Sequence, residues 1–184
     1  MLRCCQIAGL YLLICCGVLA AAGVHGVWLD VPFVQQGKDG CGAASISMVM
    51  EYWQRQQHQS ENPNAEYGHI ENALLSRKAH GILASDMERY FRQNGFAAYS
   101  FTGNWDLLNH HLEKGRPLIV VLEPGSHLPL HYVVAAGLDG EQHVVLLNDP
   151  AQRKLLKEDD SRFEREWKAA GYWALLAVPE GNTH

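Results

Sequence analysis

Among the side chains able to do covalent chemistry, one thiol stands apart. The chain has five cysteines, but Cys4, Cys5, Cys15 and Cys16 fall in its first 26 residues and Cys41 alone lies beyond them. Cys41 closes a glycine-rich stretch, VQQGKDGCG, and precedes AASISMVMEYWQRQQ, in which Ile46, Val49, Met50 and Trp53 fall at helical spacing. It is therefore expected at a helix N-terminus, whose free N–H groups and positive end favour the thiolate, the attacking species. Gly40 and Gly42 flank it without side chains, so a substrate backbone can come close. Gln35, six residues before Cys41, is placed where a loop can fold its amide beside the sulfur. With the Cys41 N–H it would form an oxyanion hole, and Gln36 is the register alternative. The bland alternative is a tight turn with solvated glutamines and a buried, inert cysteine.

A thiolate nucleophile needs a base, and ten histidines compete. His25 lies in the first segment, His184 is terminal and His58 belongs to a polar connector. His69 and His80 flank a surface helix, and His110 and His111 share a helix on which one must face water. His131 differs, because it opens a strand whose next residues, YVVAAG, are buried in pattern. That puts a polar side chain at the rim of a cleft. Asp149 ends the following strand, and antiparallel pairing would bring it beside His131 to fix the ring tautomer and support the imidazolium. His127 and His143 are the runners-up, with His143 at the strand end opposite Asp149. Metal catalysis is disfavoured: the HLPLH run from His127 to His131 lacks the Glu of a zinc-protease helix and contains Pro129, and Glu123 nearby has only generic spacing. No GxxxxGK[ST] occurs, so no nucleotide site is expected. No cofactor or metal is needed for this chemistry.

These residues must be held by a core, and the chain is large enough to build one. It has 184 residues, 47% hydrophobic and 19% charged. A net charge of −5 with no block of like charges excludes a nucleic-acid binder held by phosphate contacts. The pattern predicts a short edge strand over 27–33, a helix over 43–57, helices over 70–78 and 85–93, the latter capped by Ser85, and a strand over 96–101. A helix over 105–114 follows, then strands over 118–123, 131–138 and 143–148, a helix over 161–170 and a closing strand over 172–178. Trp28, Trp53, Trp167 and Trp173 fall at apolar positions and are expected in the core, while Trp105 opens a helix and is expected to pack there. The run 158–160 reads as a solvated acidic turn. Helices first, then mostly antiparallel strands, is an α+β domain.

Residues 1–26 carry a single Arg, an apolar run over 7–22 and small residues after it, the layout of a secretory signal peptide. The run is shorter than the roughly 20 residues of a membrane span. Cleavage is expected after Ala22 or Gly26, leaving a domain over 27–184 that is exported to the periplasm or the extracellular space. An uncleaved membrane anchor is the alternative.

The runs VPFVQQGKDGCGAASISMVMEYW, PLHYVVAAGLDG and HVVLLNDPA resemble the bacteriocin-processing cysteine peptidases, papain-like domains that cut leader peptides after a double glycine. The resemblance covers Asp30 to about Pro179. Its most specific parts are the Gln, five residues, Cys-Gly pattern and the His-Tyr and Asp-Pro pairs. It implies a papain-like fold, with an N-terminal helical half packed on an antiparallel sheet. Cys41 would be the nucleophile, His131 the general base and acid, Asp149 the orienting residue and Gln35 the oxyanion donor. The Asp that directly precedes the Cys in this family is displaced here, since Gly40 separates Asp39 from Cys41. Well-known members precede an exporter with membrane helices and an ATP-binding domain. This sequence resembles a stand-alone exported member, for which a separate exporter is the implied partner. The expected function is hydrolysis of peptide or protein substrates, with cuts after small residues such as double glycine. An exported amidase or transferase acting on cell-wall peptides, and a catalytically silent peptide-binding module, are the alternatives.

Overall fold

A computed structural model describes residues 26–125 and 128–181. The signal segment expected over 1–26, apart from Gly26, lies outside the described residues, as do His127 and His184. In chain order the elements are β1 Val27–Trp28, α1 Cys41–Gln56, α2 Tyr67–Leu74, α3 Ala84–Gln93, β2 Phe96–Thr102, α4 Trp105–Glu113 and β3 Leu118–Leu122. They continue with β4 His131–Asp139, β5 Val144–Asp149, β6 Arg153–Asp159, α5 Asp160–Ala169 and β7 Trp173–Pro179. The sheet runs β2-β7-β3-β4-β5-β6, antiparallel throughout, with β1 paired to β4. This is the expected α+β, papain-like arrangement of helices on an antiparallel sheet.

Every residue of β3 and all of Val133–Leu138 in β4 are buried, so both faces of the sheet centre are covered. Contacts from α1, α4 and α5 supply the cover. Helix α1 is itself buried without interruption from Gly42 to Met50. Its first turns are small residues, which lets neighbouring backbone approach closely. Two buried hydrogen bonds fix its position: Ser47 Oγ donates to the Ala65 carbonyl at 2.6 Å, and Trp53 Nε1 donates to the Ala177 carbonyl in β7 at 2.9 Å. The start of the long helix is thereby held against the sheet.

The structure corrects several expectations. The strand expected over 27–33 reduces to Val27–Trp28, because Pro32 removes a donor and the chain turns toward the glycine-rich loop. Trp28 is 58% exposed rather than in the core, since β1 lies at the margin of the sheet. Ser85 does not cap α3, which begins at Ala84 with no side-chain cap. Helix α2 begins three residues earlier than expected, where the Glu66 carboxylate accepts from the N–H groups of Gly68 and His69 at 3.0 and 2.8 Å. Strand β6 was not foreseen, because RKLLKED does not alternate and Leu155 adopts a φ of 49°. Nor is 158–160 a free acidic turn: Asp159 caps α5, and Glu158 faces Arg162 at 3.1 Å.

Candidate active site

Cys41 is the first residue of α1, and Gly40 before it has no side chain to occupy the helix end. His131 is the first residue of β4 and Asp149 the last of β5. The β4–β5 register sets Val134 against Asn148, which brings these strand ends together. His131 Nε2 lies 2.8 Å from Asp149 Oδ1. That leaves Nδ1 for the sulfur, to which the His131 ring is hydrogen-bonded. The Cys41 sulfur also accepts hydrogen bonds from the N–H groups of Tyr132 and Gly42. Asp149 is held in turn, its Oδ1 accepting from the Ala151 N–H at 2.9 Å and its Oδ2 from Gln152 Nε2 at 2.5 Å.

The electrostatics follow from burial working against ionisation and hydrogen bonds outweighing it. Burial disfavours the Cys41 thiolate, yet the His131 ring, the Tyr132 and Gly42 N–H groups and the imidazolium charge hold the thiol below its usual 9.0. Burial also disfavours the His131 cation, but Asp149 and Cys41 raise its pKa from 6.5 to about 9. Asp149 stays below its usual 3.8 because His131 and the backbone of Ala151 offset its burial. At neutral pH Asp149 is therefore a carboxylate and His131 an imidazolium, and the ring together with the two N–H groups biases Cys41 toward the thiolate. Next to it, burial and the thiolate charge push the Tyr132 phenol up to about 12.

The sulfur opens into a cleft of about 800 Å³ lined by Gln36, Asp39, His80, His131, Leu128 and Leu130, among others. Leu128 and Leu130 are 59% and 57% exposed, an apolar rim beside polar chemistry. Gln35, the expected oxyanion donor, is exposed and does not line this cleft. Gln36 does. The physical reason is the attachment of the loop: the Gln36 N–H donates to the Pro150 carbonyl at 3.0 Å, which pins that residue, and not its neighbour, beside Asp149. Gln36 Oε1 is buried without a hydrogen-bond partner.

Three further placements were not read from the sequence. His80 is exposed, as expected of a residue flanking a surface helix, and it also lines the cleft and faces the Asp39 carboxylate at 3.5 Å. Asn148 is fully buried, with Nδ2 donating to the carbonyls of Val31 and Pro32 at 3.1 and 3.0 Å and Oδ1 accepting from the Leu155 N–H at 2.9 Å. Gln152 holds Asp149 from the end of the β5–β6 connection. Of the rival bases, His143 faces Asp160 at 3.0 Å and does not line this cleft. Among the described residues no group of three or more His, Cys, Asp or Glu side chains is arranged to hold a metal ion, and no helix is long and apolar enough to cross a membrane.

The fold is shared with known peptidase domains. A double glycine motif protease from an AMS/PCAT transporter, solved with a leader peptide, superposes with a TM-score of 0.62 at 22% identity, over 86% of this chain and 96% of that one. The peptidase domain of Streptococcus ComA gives 0.60 at 22% identity, over 80% and 97%. A C39-like peptidase from Bacillus anthracis gives 0.57 at 18% identity, over 85% and 98%. No curated protein matches the chain. The model of the Peptidase C39 like family matches residues 28–175, a span that contains α1, β4, β5 and all three coupled side chains. The chain belongs to the Peptidase C39 like family.

Proposed function

We propose that the chain is a cysteine peptidase in which Cys41 attacks a peptide carbonyl. One observation carries the reading: a single imidazole joins the thiol at a helix N-terminus to a buried carboxylate 2.8 Å away. The Cys41 thiolate adds to the carbonyl carbon, and the negative oxygen is stabilised by the Cys41 N–H and Gln36 Nε2. His131 gives its proton to the leaving amine, which departs and leaves a thioester on Cys41. Water, deprotonated by His131, then releases the acid and restores the thiol. Asp149 keeps the ring oriented throughout.

The substrate is a peptide or protein, cut after small residues such as double glycine. The family, and the leader peptide bound to the similar transporter protease, support this. The signal-like segment over 1–26 supports action outside the cytoplasm. The test is iodoacetamide alkylation of Cys41 against pH, paired with hydrolysis of a peptide library. Alkylation should plateau well below the free-thiol pKa of about 8.5, and the plateau should vanish in His131→Ala. Hydrolysis should be lost in Cys41→Ala. A Cys41 that titrates as an ordinary thiol, or hydrolysis that survives Cys41→Ala, would sink the assignment.

A further inference from the structure

Position 40, directly before Cys41, holds glycine, and its backbone does not explain why. Gly40 has a φ of −95° and a ψ of 9°, a conformation open to any residue. What excludes a side chain is an atom from another helix. A Cβ at position 40 would stand 2.2 Å from the Tyr67 hydroxyl and 3.2 Å from Glu71 Oε1. Tyr67 and Glu71 are one turn apart on α2, so both project onto the same spot.

The hydroxyl is committed on both sides. It donates to Glu71 Oε1 at 2.5 Å and accepts from the Gly37 N–H at 2.8 Å. The hydroxyl hydrogen points at the carboxylate, which leaves an oxygen lone pair to accept from the Gly37 N–H. Burial, Glu71 and the nearby Cys41 charge all keep the phenol protonated. The loop between Gln36 and Cys41 is thus fastened at three points: Gln36 N–H on Pro150, Gly37 N–H on Tyr67, and Cys41 at the head of α1.

We propose that Tyr67 and Glu71 are positioning residues: by holding the turn over 37–40, they set where Gln36 and the Cys41 N–H converge on a developing oxyanion. This rests on Cys41 being the nucleophile. The hydroxyl also fills the space that a side chain at position 40 would take, so the glycine and the tyrosine belong together.

Two probes of the same sulfur separate this from a scaffold role. With p-nitrophenyl acetate, the thiolate forms an S–C bond, a tetrahedral oxyanion develops, and p-nitrophenolate leaves with the electron pair of its C–O bond, giving an acetyl thioester. With iodoacetamide, the same thiolate displaces iodide at a saturated carbon and no carbonyl oxyanion is captured. Cys41→Ala supplies the background for both. Tyr67→Phe should slow acylation about ten- to a hundredfold, while the alkylation rate and its pH profile stay within about twofold of wild type. Gly40→Ala should produce the same split. The double variant, which removes the oxygen that the new methyl group would strike, should be no slower than the slower single variant. Wild-type acylation in Tyr67→Phe, an equal fall in both rates, or additive losses in the double variant would overturn the assignment. If wild type itself is acylated no faster than Cys41→Ala, the nucleophile reading fails and this inference falls with it.

Discussion

Replacing Asp149 by Asn tests the charge coupling rather than the shape of the site. Asn keeps an oxygen to accept from His131 Nε2–H and from the Ala151 N–H, so the ring should stay in place, while the negative charge is lost. Raising His131 from 6.5 to about 9 corresponds to about 3 kcal/mol in favour of the imidazolium. Burial works against that gain, so it comes from Asp149 and Cys41 together. The His131–Asp149 pair is close and shielded, with side chains 20% and 7% exposed, so its attraction is weakly screened. Leaving only the thiolate's share should lower the His131 pKa by about one to two units. The assay is NMR titration of the His131 ring in selectively labelled protein from pH 5 to 11, alongside iodoacetamide rates. The ring should titrate near 9 in wild type and at roughly 7 to 8 in the variant, and the alkylation plateau should retreat toward higher pH. An amide acceptor suffices in papain-like sites, so peptide hydrolysis should weaken without vanishing. A ring that still titrates near 9 in Asp149→Asn would refute the coupling.

Two further outcomes follow from the same geometry. Gln36→Ala should slow acylation of Cys41 by p-nitrophenyl acetate about a hundredfold, whereas Gln35→Ala should leave it within about twofold, and the reverse order would restore Gln35 as the donor. The pH dependence of folding stability should differ between wild type and Cys41→Ala. Between 6.5 and about 9 the folded chain holds a proton on His131 that the unfolded chain lacks, while the lowered Cys41 pKa makes the folded chain give up thiol proton that the unfolded chain keeps. The two changes oppose each other, so the slope from this site is reduced in wild type. In Cys41→Ala the folded state keeps the extra proton on His131, still raised by Asp149, so stability should fall with rising pH above 6.5 relative to wild type. The limit is about 1.4 kcal/mol per pH unit. Urea denaturation at pH 6.5, 7.5 and 8.5 measures it, and parallel profiles in the two proteins would contradict the ion pair.

What the sequence discloses about this site depends on how locally each feature is encoded. Cys41 was legible because glycines on one side and helical periodicity on the other mark a helix start within a few residues. His131 and Asp149 were legible because buried runs end at them, and adjacent antiparallel strands bring such ends together. The choice between Gln35 and Gln36 was not local. It is decided by the Pro150 carbonyl, more than a hundred residues away in the chain. His80 likewise reaches the cleft only because the 76–81 loop folds back through the Ser76–Gly81 bridge. Strand β6 escaped because an edge strand with a bulge and charged residues has no clean period. Tyr67 and Glu71 carried the helical i, i+4 signal, but nothing near them in sequence pointed toward position 40.

The short run Asn148-Asp149-Pro150 shows why Cys41, His131 and Gln36 stay in register. The β4–β5 register extended by one residue sets Asp149 against Val133, on the same face as His131 two positions along. That diagonal leaves Cβ atoms far enough apart for an imidazole and a carboxylate to meet tip to tip, where a directly opposed pair would be crowded. Asn148, one residue earlier, points the other way and ties the Val31–Pro32 backbone through two hydrogen bonds. Pro150, one residue later, receives the Gln36 N–H. Three consecutive residues thus hold the segment entering the loop, His131 and Gln36, each through a different group. A one-residue slip of β5 would reverse the faces of Asn148 and Asp149, placing the carboxylate against Val31 and the amide toward His131. The geometry of the site is therefore a property of sheet register, with the sulfur delivered separately by α1. At the site the two halves meet where the Tyr132 N–H and the His131 ring both reach Cys41.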